Sequence, residues 1–127
     1  MKILLTGSNG QLGHDFKKIF NKKNIEYIAT DYKELDITSD EDLNKFFQEN
    51  EGITHVINCA AYNDVDKAET DKKVWLINAE APKKLAEFSK RIGAIFVTYT
   101  TDFVFDGEKD SPYMEDDKTN GISEYGK

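Results

Sequence analysis

Short apolar runs alternate with longer segments of helical periodicity over most of the chain. Runs of this kind are typical of strands buried on both faces of a parallel sheet. They lie at 2–6 (KILLT), 25–30 (IEYIAT), 54–59 (THVINC) and 94–100 (AIFVTYT). Strands that alternate with helices are joined by right-handed crossovers that place helices on both faces of the sheet. The pattern therefore predicts an α/β fold with a Rossmann-like, doubly wound parallel sheet of four strands.

Three segments of helical period connect the predicted strands. The first follows the opening strand and carries its apolar residues on one stripe. The second begins after Ser39, and Asp42 lies three residues further on, which is the spacing of a capping box. The third covers 70–91 and contains Pro82, which predicts a break or kink near Ala81 because proline has no N–H and its ring crowds the preceding turn.

The composition changes after the fourth predicted strand. Asp, Glu, Gly, Ser and Asn dominate 102–126, and no period is present there. This predicts either an ordered loop or a disordered segment of roughly 25 residues, a length that is uncommon unless the loop is functional.

Length and charge exclude several classes of protein. The 127 residues argue for one domain, and 17 Lys and Arg against 24 Asp and Glu give a formal net charge of −7. Bulk charge of this sign disfavours binding to nucleic acid or to an anionic membrane. No apolar run approaches the ~20 residues that span a bilayer, and we do not expect a signal peptide, because the apolar stretch in MKILLTGSNG is too short and wrongly flanked. The single cysteine, Cys59, excludes an internal disulfide. We therefore expect a soluble, cytoplasmic protein without a metal site.

A glycine-rich turn follows the first predicted strand directly. Gly7, Gly10 and Gly13 have the spacing G-x-x-G-x-x-G, which differs from the G-x-G-x-x-G of most dehydrogenases. Glycines here let the backbone turn sharply and approach a pyrophosphate, and the next helix offers free N–H groups to it. The turn therefore predicts a dinucleotide site. An ordinary strand-to-helix turn is the alternative.

Two acidic residues follow the second predicted strand. Asp31 lies roughly 20 residues after the glycine turn, where a carboxylate can hydrogen-bond the adenosine ribose and favour NAD over its phosphorylated form. A solvated aspartate at a strand end is the alternative. Asp36, followed by Ile37, is a second candidate, for the adenine ring, and could equally belong to a turn.

Six strings together resemble the extended short-chain dehydrogenase/reductase family, and within it the dTDP-4-dehydrorhamnose reductases. The strings are GSNGQLG, LDIT, INCAAYNDVDKAE, INAEAPKKLA, TTDFVFDG and EYGK, and they occur in the order of that family across 1–127. VDKAE and TDFVFDG are more diagnostic than the glycines. The resemblance implies reduction of dTDP-4-dehydro-L-rhamnose to dTDP-L-rhamnose with NADH or NADPH, in the synthesis of cell-surface polysaccharide.

The resemblance also implies roles for individual residues. Thr101 would hydrogen-bond the substrate carbonyl, Tyr125 would donate a proton to the 4-keto oxygen, and Asp102 would face the sugar. The residues that would contact the cofactor are Gly7, Gly10, Gln11, Leu12, Gly13, Asp31, Asp36, Ile37, Ala60, Ala61, Tyr62 and Tyr99. Phe103 stands where the family commonly has Tyr. Trp75 is expected to pack within its helix.

The proton-donating role of Tyr125 raises the question of its activating cation. Free tyrosine titrates near ~10, so its phenol needs a neighbouring positive charge to act near neutrality. In this family that charge is a lysine four residues later, whereas Lys127 follows Tyr125 by two. Two helical residues turn the chain by about 200° and four by about 40°, so Lys127 should not be the catalytic lysine. We therefore expect 1–127 to be an incomplete cofactor-binding domain, without the substrate-binding part and inactive alone.

By resemblance, the four strands are expected in the order 3-2-1-4, truncated after the fourth strand. The fourth strand would then be an exposed edge that favours self-association. Two other functions stay open. One is a non-catalytic NAD(P)-binding subunit resembling the regulatory subunit of methionine adenosyltransferase, against which Thr101 and Tyr125 argue. The other is a sugar-nucleotide epimerase or dehydratase, which VDKAE and TDFVFDG fit less well.

Overall fold

Each apolar run forms a strand in the computed structural model, which describes residues 1–127. The strands are β1 (Lys2–Thr6), β2 (Glu26–Ala29), β3 (His55–Asn58) and β4 (Ile95–Thr98). All three pairings are parallel, and Leu4 lies opposite Ile28 on one side and Val56 on the other. The predicted α/β class with a doubly wound parallel sheet is confirmed.

The strand order is β2-β1-β3-β4, so the expected order 3-2-1-4 is wrong. The third strand pairs with β1 and not with β2. The reason lies in how completely each strand is buried, because the central strands of a parallel sheet are covered on both faces and the edge strands are more exposed. β3 is almost wholly buried and takes the second central place, whereas β2 has the partly exposed pattern of an edge. β4 forms the other edge, as expected.

Helices cover both faces of this sheet because successive residues of β1 point to opposite sides. On one face, α1 (Gln11–Lys23) contributes Phe20 to a cluster with Ile3, Leu5 and Ile57. On the other face lie α2 (Asp40–Glu49) and α5 (Ala81–Ile92). Their cluster contains Leu4, Leu35, Ile37, Leu43, Phe47, Ile53, Val56, Ala81, Leu85 and Phe88. None of the helices is long and apolar enough to span a membrane.

The predicted start of α2 is confirmed at the level of its hydrogen bonds. The hydroxyl of Ser39 accepts a hydrogen bond from the backbone N–H of Asp42 at 3.2 Å. Three acidic residues occupy the first turn, where negative charge is stabilised by the helix dipole. Local polar chemistry therefore fixes this helix at the residue that the sequence indicates.

The long helical segment before β4 is built differently from the prediction. It consists of α3 (Val65–Ala68), α4 (Lys73–Trp75), a π-helical turn (Leu76–Glu80) and α5. The backbone stays helical through Ala81, so the predicted break there is wrong. The Ala81 N–H donates to the carbonyl of Leu76, five residues earlier, and this wider turn precedes Pro82 in the first turn of α5. The irregularity that Pro82 imposes is therefore a π turn and not a helix end.

The segment after β4 is an ordered loop, the first of the two predicted alternatives. A short 3₁₀ helix covers Asp102–Val104, and turns follow. The Asp106 carboxylate accepts hydrogen bonds from the Tyr113 hydroxyl at 2.7 Å and from the Asn120 amide at 3.0 Å. Phe105 stacks on Tyr113 with ring centroids 4.2 Å apart. The hydrogen bonds around Asp106, which we call the Asp106 hub, and the Phe105–Tyr113 stack thus order a segment that has no apolar periodicity.

Candidate functional site

A cavity of about 570 Å³ opens at the carboxyl ends of β1, β3 and β4. The chain leaves β1 towards β2 on one side and later returns to β3 on the other, so the strand order reverses between β1 and β3. In open parallel sheets, ligands bind in the crevice at such a switch point. Topology alone therefore places the candidate site here.

The three glycines of the first turn are not equivalent in space. Gly7 has φ of +64°, and a Cβ there would lie 2.4 Å from the backbone nitrogen of Ala60. A Cβ on Gly13 would lie 2.4 Å from the carbonyl oxygen of Gly7. A Cβ on Gly10 would meet only that same oxygen, at 3.4 Å. Gly7 and Gly13 are thus required by packing, whereas Gly10 lines the cavity together with Gln11 and Leu12.

The N-terminus of α1 faces this cavity without a capping side chain. No side chain caps its first turn, and that turn contains no acidic residue. The first N–H groups of a helix have no partner within the helix, and the helix dipole places partial positive charge there. The turn and the helix therefore offer an anion site made of backbone groups, in a chain whose net charge is negative.

Asp31 is joined to the glycine turn. Its carboxylate accepts hydrogen bonds from the backbone N–H of Asn9 at 3.0 Å and from that of Tyr32 at 2.8 Å. The structure therefore brings the predicted ribose-binding carboxylate directly beside the predicted phosphate-binding turn.

Asp36 and Ile37 do not line the cavity. The Asp36 carboxylate accepts from both the backbone N–H and the hydroxyl of Thr38, at 2.9 and 2.6 Å. Ile37 is buried in the larger core cluster. Both residues serve the local turn and the core, and their contact with adenine stays a prediction.

The loop after β3 supplies the opposite wall of the cavity. Ala60 and Ala61 line it, whereas Tyr62 does not. Asn78, in the π turn, holds the backbone of Tyr62 at both ends: its Oδ1 accepts from the Tyr62 N–H at 2.7 Å, and its Nδ2 donates to the Tyr62 carbonyl at 3.0 Å. The π turn therefore fixes the course of the loop beside the cavity.

Asn58 and Asn78 are functional-site residues that sequence reasoning missed. Asn58 is buried, accepts from the Thr6 hydroxyl at 2.7 Å and donates to the Thr98 hydroxyl at 3.2 Å, which ties three strand ends together. An asparagine inside the apolar run THVINC is the signal that could have identified it, since a buried amide requires partners. Asn78 is only partly buried, and its helical segment carries no comparable signal.

Thr101, Tyr99 and Tyr125 come together at the far end of the cavity. The Thr101 hydroxyl accepts from the Phe103 N–H at 3.2 Å and donates to the Asp102 carboxylate at 3.3 Å. Burial raises the pKa of the Tyr99 phenol. Asp102 itself lines a smaller neighbouring pocket with Glu69 and other residues, not the main cavity.

Cys59 lines the cavity beside Ala60. Burial raises the pKa of its thiol to about 11, so the group is a neutral thiol at physiological pH and not a nucleophilic thiolate. No group of three or more His, Cys, Asp or Glu side chains that could hold a metal ion occurs in the structure.

Lys127 lines the cavity but is paired with another residue. Its ammonium group donates to the Glu124 carboxylate at 2.8 Å, and this ion pair lowers the pKa of Glu124 and raises that of Lys127. Trp75, expected to pack within its helix, belongs to neither core cluster; it lines the cavity, and its indole N–H donates to Glu124 at 3.3 Å.

Comparison with known proteins finds relatives that match almost the whole chain. The family model described as RmlD substrate binding domain matches residues 1–127. A dTDP-4-dehydrorhamnose reductase of Burkholderia thailandensis is 41% identical over 128 residues, which cover 99% of this chain and 42% of that protein. The spore coat polysaccharide biosynthesis protein SpsK of Bacillus subtilis is 35% identical and is covered to 44%.

Solved structures of similar proteins superpose on almost the whole chain. A dTDP-4-dehydrorhamnose reductase from Clostridium acetobutylicum superposes with a TM-score of 0.95 at 48% identity, over 99% of this chain and 45% of that one. The Bacillus anthracis reductase, solved in complex with NADP, gives 0.91 at 34% identity, over 98% and 45%. A Thermus thermophilus UDP-glucose 4-epimerase, in complex with NAD, gives 0.85 at 18% identity and shows the fold alone. The chain spans less than half the length of these relatives.

Proposed function

This chain belongs to the RmlD substrate binding domain family, and on that premise we propose that it is the cofactor-binding part of an NADH- or NADPH-dependent dTDP-4-dehydrorhamnose reductase. One observation carries the proposal. A single cavity at the switch point of the sheet joins the glycine turn and the N-terminus of α1 to Thr101 and Tyr125. That arrangement suits a dinucleotide lying across the strand ends with its reactive ring beside a proton donor.

The cofactor diphosphate is assigned to the N-terminus of α1. Gly10 leaves its backbone accessible, and Gln11 and Leu12 are the first residues of a helix without a cap. Backbone N–H groups with the positive end of the helix dipole stabilise phosphate without any Lys or Arg. Ala60, Ala61 and Tyr99 then line the path towards the nicotinamide.

Asp31 is assigned to the adenosine ribose. Its carboxylate is held at the edge of the glycine turn by two backbone N–H groups, so its position is fixed before a cofactor binds. A carboxylate can accept hydrogen bonds from the ribose hydroxyls and repels a 2′-phosphate. We therefore expect NADH to bind more tightly than NADPH. NADPH remains a cofactor of the proposal, because the Bacillus anthracis relative was solved with NADP.

Thr101 and Tyr125 are assigned to the substrate carbonyl. When bound, a reduced nicotinamide supplies a hydride to carbon 4 of the sugar, and negative charge then develops on the carbonyl oxygen. The Tyr125 phenol donates a proton to that oxygen. The Thr101 hydroxyl donates its proton to the Asp102 carboxylate in the structure, so it would have to rotate away from Asp102 to donate a hydrogen bond to the substrate oxygen. Lys127 is engaged by Glu124 and follows Tyr125 by only two residues, so we assign it no part in activating the phenol.

The proposed partners are a dTDP-sugar and further copies of the chain. β4 is an edge strand, and Ile95 within it is 59% exposed. An exposed apolar edge with free backbone N–H and C=O groups pairs readily with another strand. We do not assign a nucleic-acid or membrane partner, because the net charge is −7.

The experiment is a titration of the chain with NADH and with NADPH, followed by nicotinamide fluorescence. We expect saturable binding of both, tighter for NADH. Asp31→Ala should weaken NADH binding by roughly tenfold or more, because a hydrogen bond to a charged group contributes about 1.5–3 kcal/mol. The same change should affect NADPH less, since it also removes the repulsion of the 2′-phosphate.

Two controls keep this test specific. Asp31→Asn keeps a side-chain oxygen that can accept from the Asn9 N–H, so a loss shared by both variants reflects the charge and not the turn. Glu108→Ala changes an acidic residue of the distant loop and should leave both affinities unchanged. Equal weakening of NADH and NADPH by Asp31→Ala would contradict the assignment of Asp31 to the ribose.

A further inference from the structure

Three groups from different parts of the chain converge on Glu124, the residue before Tyr125. The indole N–H of Trp75 donates to one carboxylate oxygen at 3.3 Å, and the Lys127 ammonium donates to the other at 2.8 Å. The backbone N–H of Glu124 donates to the carboxylate of Glu69 at 3.0 Å. Trp75 and Glu69 are 49 and 55 residues away in sequence. They attach the end of the loop to the helical segment that forms the cavity wall.

The other side of this segment is packed against the 3₁₀ turn after β4. A Cβ on Gly126 would lie 2.1 Å from the carbonyl oxygen of Phe103, and one on Gly121 would lie 2.2 Å from the carbonyl oxygen of Gly126. The Tyr125 ring meets Phe103 edge to face, with centroids 5.6 Å apart. Tyr125 is thus enclosed between Phe103 on one side and the contacts of Glu124 on the other.

Trp75 is placed for this contact by the helix irregularity. It is the last residue of α4, directly before the π turn. Its side chain lines the same cavity as Tyr125 and is 43% exposed. A large aromatic side chain that stays partly exposed and directs its N–H to a carboxylate acts as more than core packing.

We propose that Trp75 and Glu69 are positioning residues for Tyr125 and act through Glu124. Glu69 fixes the backbone of Glu124, Trp75 fixes its side chain, and together they set where the phenol of Tyr125 stands in the cavity. This inference rests on the proposed function, because positioning matters only if Tyr125 is the proton donor. Proton donation requires a reacting group placed to within a fraction of an ångström. The contacts themselves exist without cofactor.

The test is NMR of the ¹⁵N-labelled chain without ligand. Trp75 is the only tryptophan, so the chain has one indole N–H signal. Glu124→Ala should shift that signal upfield. Trp75→Phe, which keeps a ring but lacks the N–H, and Glu69→Ala should both shift the Tyr125 ring signals. Both should also speed amide exchange at Gly126 and Lys127 on the order of threefold to tenfold, the range that a lost exposed hydrogen bond predicts.

The controls separate positioning from general stability. Glu69→Gln keeps an oxygen that can accept from the Glu124 N–H, so its Tyr125 signals should resemble those of the original chain. If Glu69 affected only the general stability of the segment, Glu69→Gln and Glu69→Ala would shift the Tyr125 signals equally. Glu108→Ala should leave the signals of 123–127 unchanged. Unmoved Tyr125 signals in both Trp75→Phe and Glu69→Ala would overturn the inference. The proposed function is tested separately by the cofactor titration, so the two can fail independently.

Discussion

Gly7, Gly10 and Gly13 are equivalent in the sequence motif, but they differ in the space that surrounds them. Gly7 and Gly13 let two backbone segments approach more closely than a Cβ allows. Gly10 has an ordinary φ of −73°, and a Cβ there would make only an ordinary contact with the carbonyl oxygen of Gly7 at 3.4 Å, so the fold does not require a glycine at this position.

Substitution by alanine should show this difference. Gly13→Ala should lower the free energy of unfolding by about 1–3 kcal/mol, because its Cβ collides with the carbonyl oxygen of Gly7. Gly10→Ala should leave stability nearly unchanged and weaken NADH binding. Urea unfolding and the fluorescence titration measure the two effects. Equal destabilisation by both variants would contradict the distinction.

Single residues also show where sequence reasoning succeeded and where it did not. The spacing of Asp31 after the glycine turn led to its assignment to the adenosine ribose; the structure places its carboxylate beside that turn, and the contact with the ribose stays a prediction. Asp36 could be read either as a ligand or as a turn residue, and only the coordinates show that Thr38 occupies its carboxylate. The sequence shows that an asparagine such as Asn58 inside an apolar run needs hydrogen-bond partners, but the partners of Asn58 and Asn78 lie on other elements and cannot be identified from a local pattern.

At the scale of elements, the strands and the start of α2 were predictable because apolar runs and a capping serine act locally. The π turn was not. Pro82 signals that regular hydrogen bonding must fail nearby, but whether the chain ends the helix or widens one turn depends on packing. Here Ala81 is completely buried and Asn78 is bound to the loop after β3, so the helix continues.

The Asp106 carboxylate holds part of the loop after β4, which makes the order of that part sensitive to acid. Hydrogen bonds from Asn120 and Tyr113 lower the pKa of Asp106 to about 2. A carboxyl whose folded pKa lies below its unfolded value of about 3.9 stabilises the folded form fully above that value. This contribution is lost as the pH falls from about 4 through about 2.

We therefore expect the side-chain amide signals of Asn120 to keep their folded positions at pH 4 and to lose them as the pH approaches 2. Asp106→Asn should abolish this pH dependence, while Asp110→Asn, a change in the same loop, should retain it. NMR of the labelled chain provides the measurement. A midpoint near pH 4 would mean that the Asp106 hub is not formed.

At the scale of the whole molecule, strand order was the feature that the sequence did not specify. The position of each strand in the sheet depends on how deeply its side chains are buried against elements that are distant in sequence. β3 is almost wholly buried and lies at the centre, whereas the partly exposed β2 lies at an edge. The same order creates the switch point between β1 and β3 and leaves β4 at an edge. The cavity and the exposed edge are thus two consequences of one topology.

The exposed edge predicts association between copies of the chain. Ile95→Lys places a charge on β4, which disfavours edge-to-edge pairing, and should shift sedimentation velocity profiles towards monomer. Ile122→Lys, at a position that is 70% exposed but lies in the loop, is the matched control and should leave the profile unchanged. If both variants behave like the original chain, β4 is not the associating edge.

Mapping NADH onto the ¹⁵N-labelled chain by NMR shows whether the crevice between β1 and β3 binds a nicotinamide dinucleotide. If NADH binds there, we expect saturable shifts at Gly10, Gln11 and Leu12, at Ala60 and Ala61, and in the Trp75 indole signal, with 108–117 unchanged. A folded chain whose shifts fall elsewhere, or that shows none at saturating NADH, would contradict binding in this crevice.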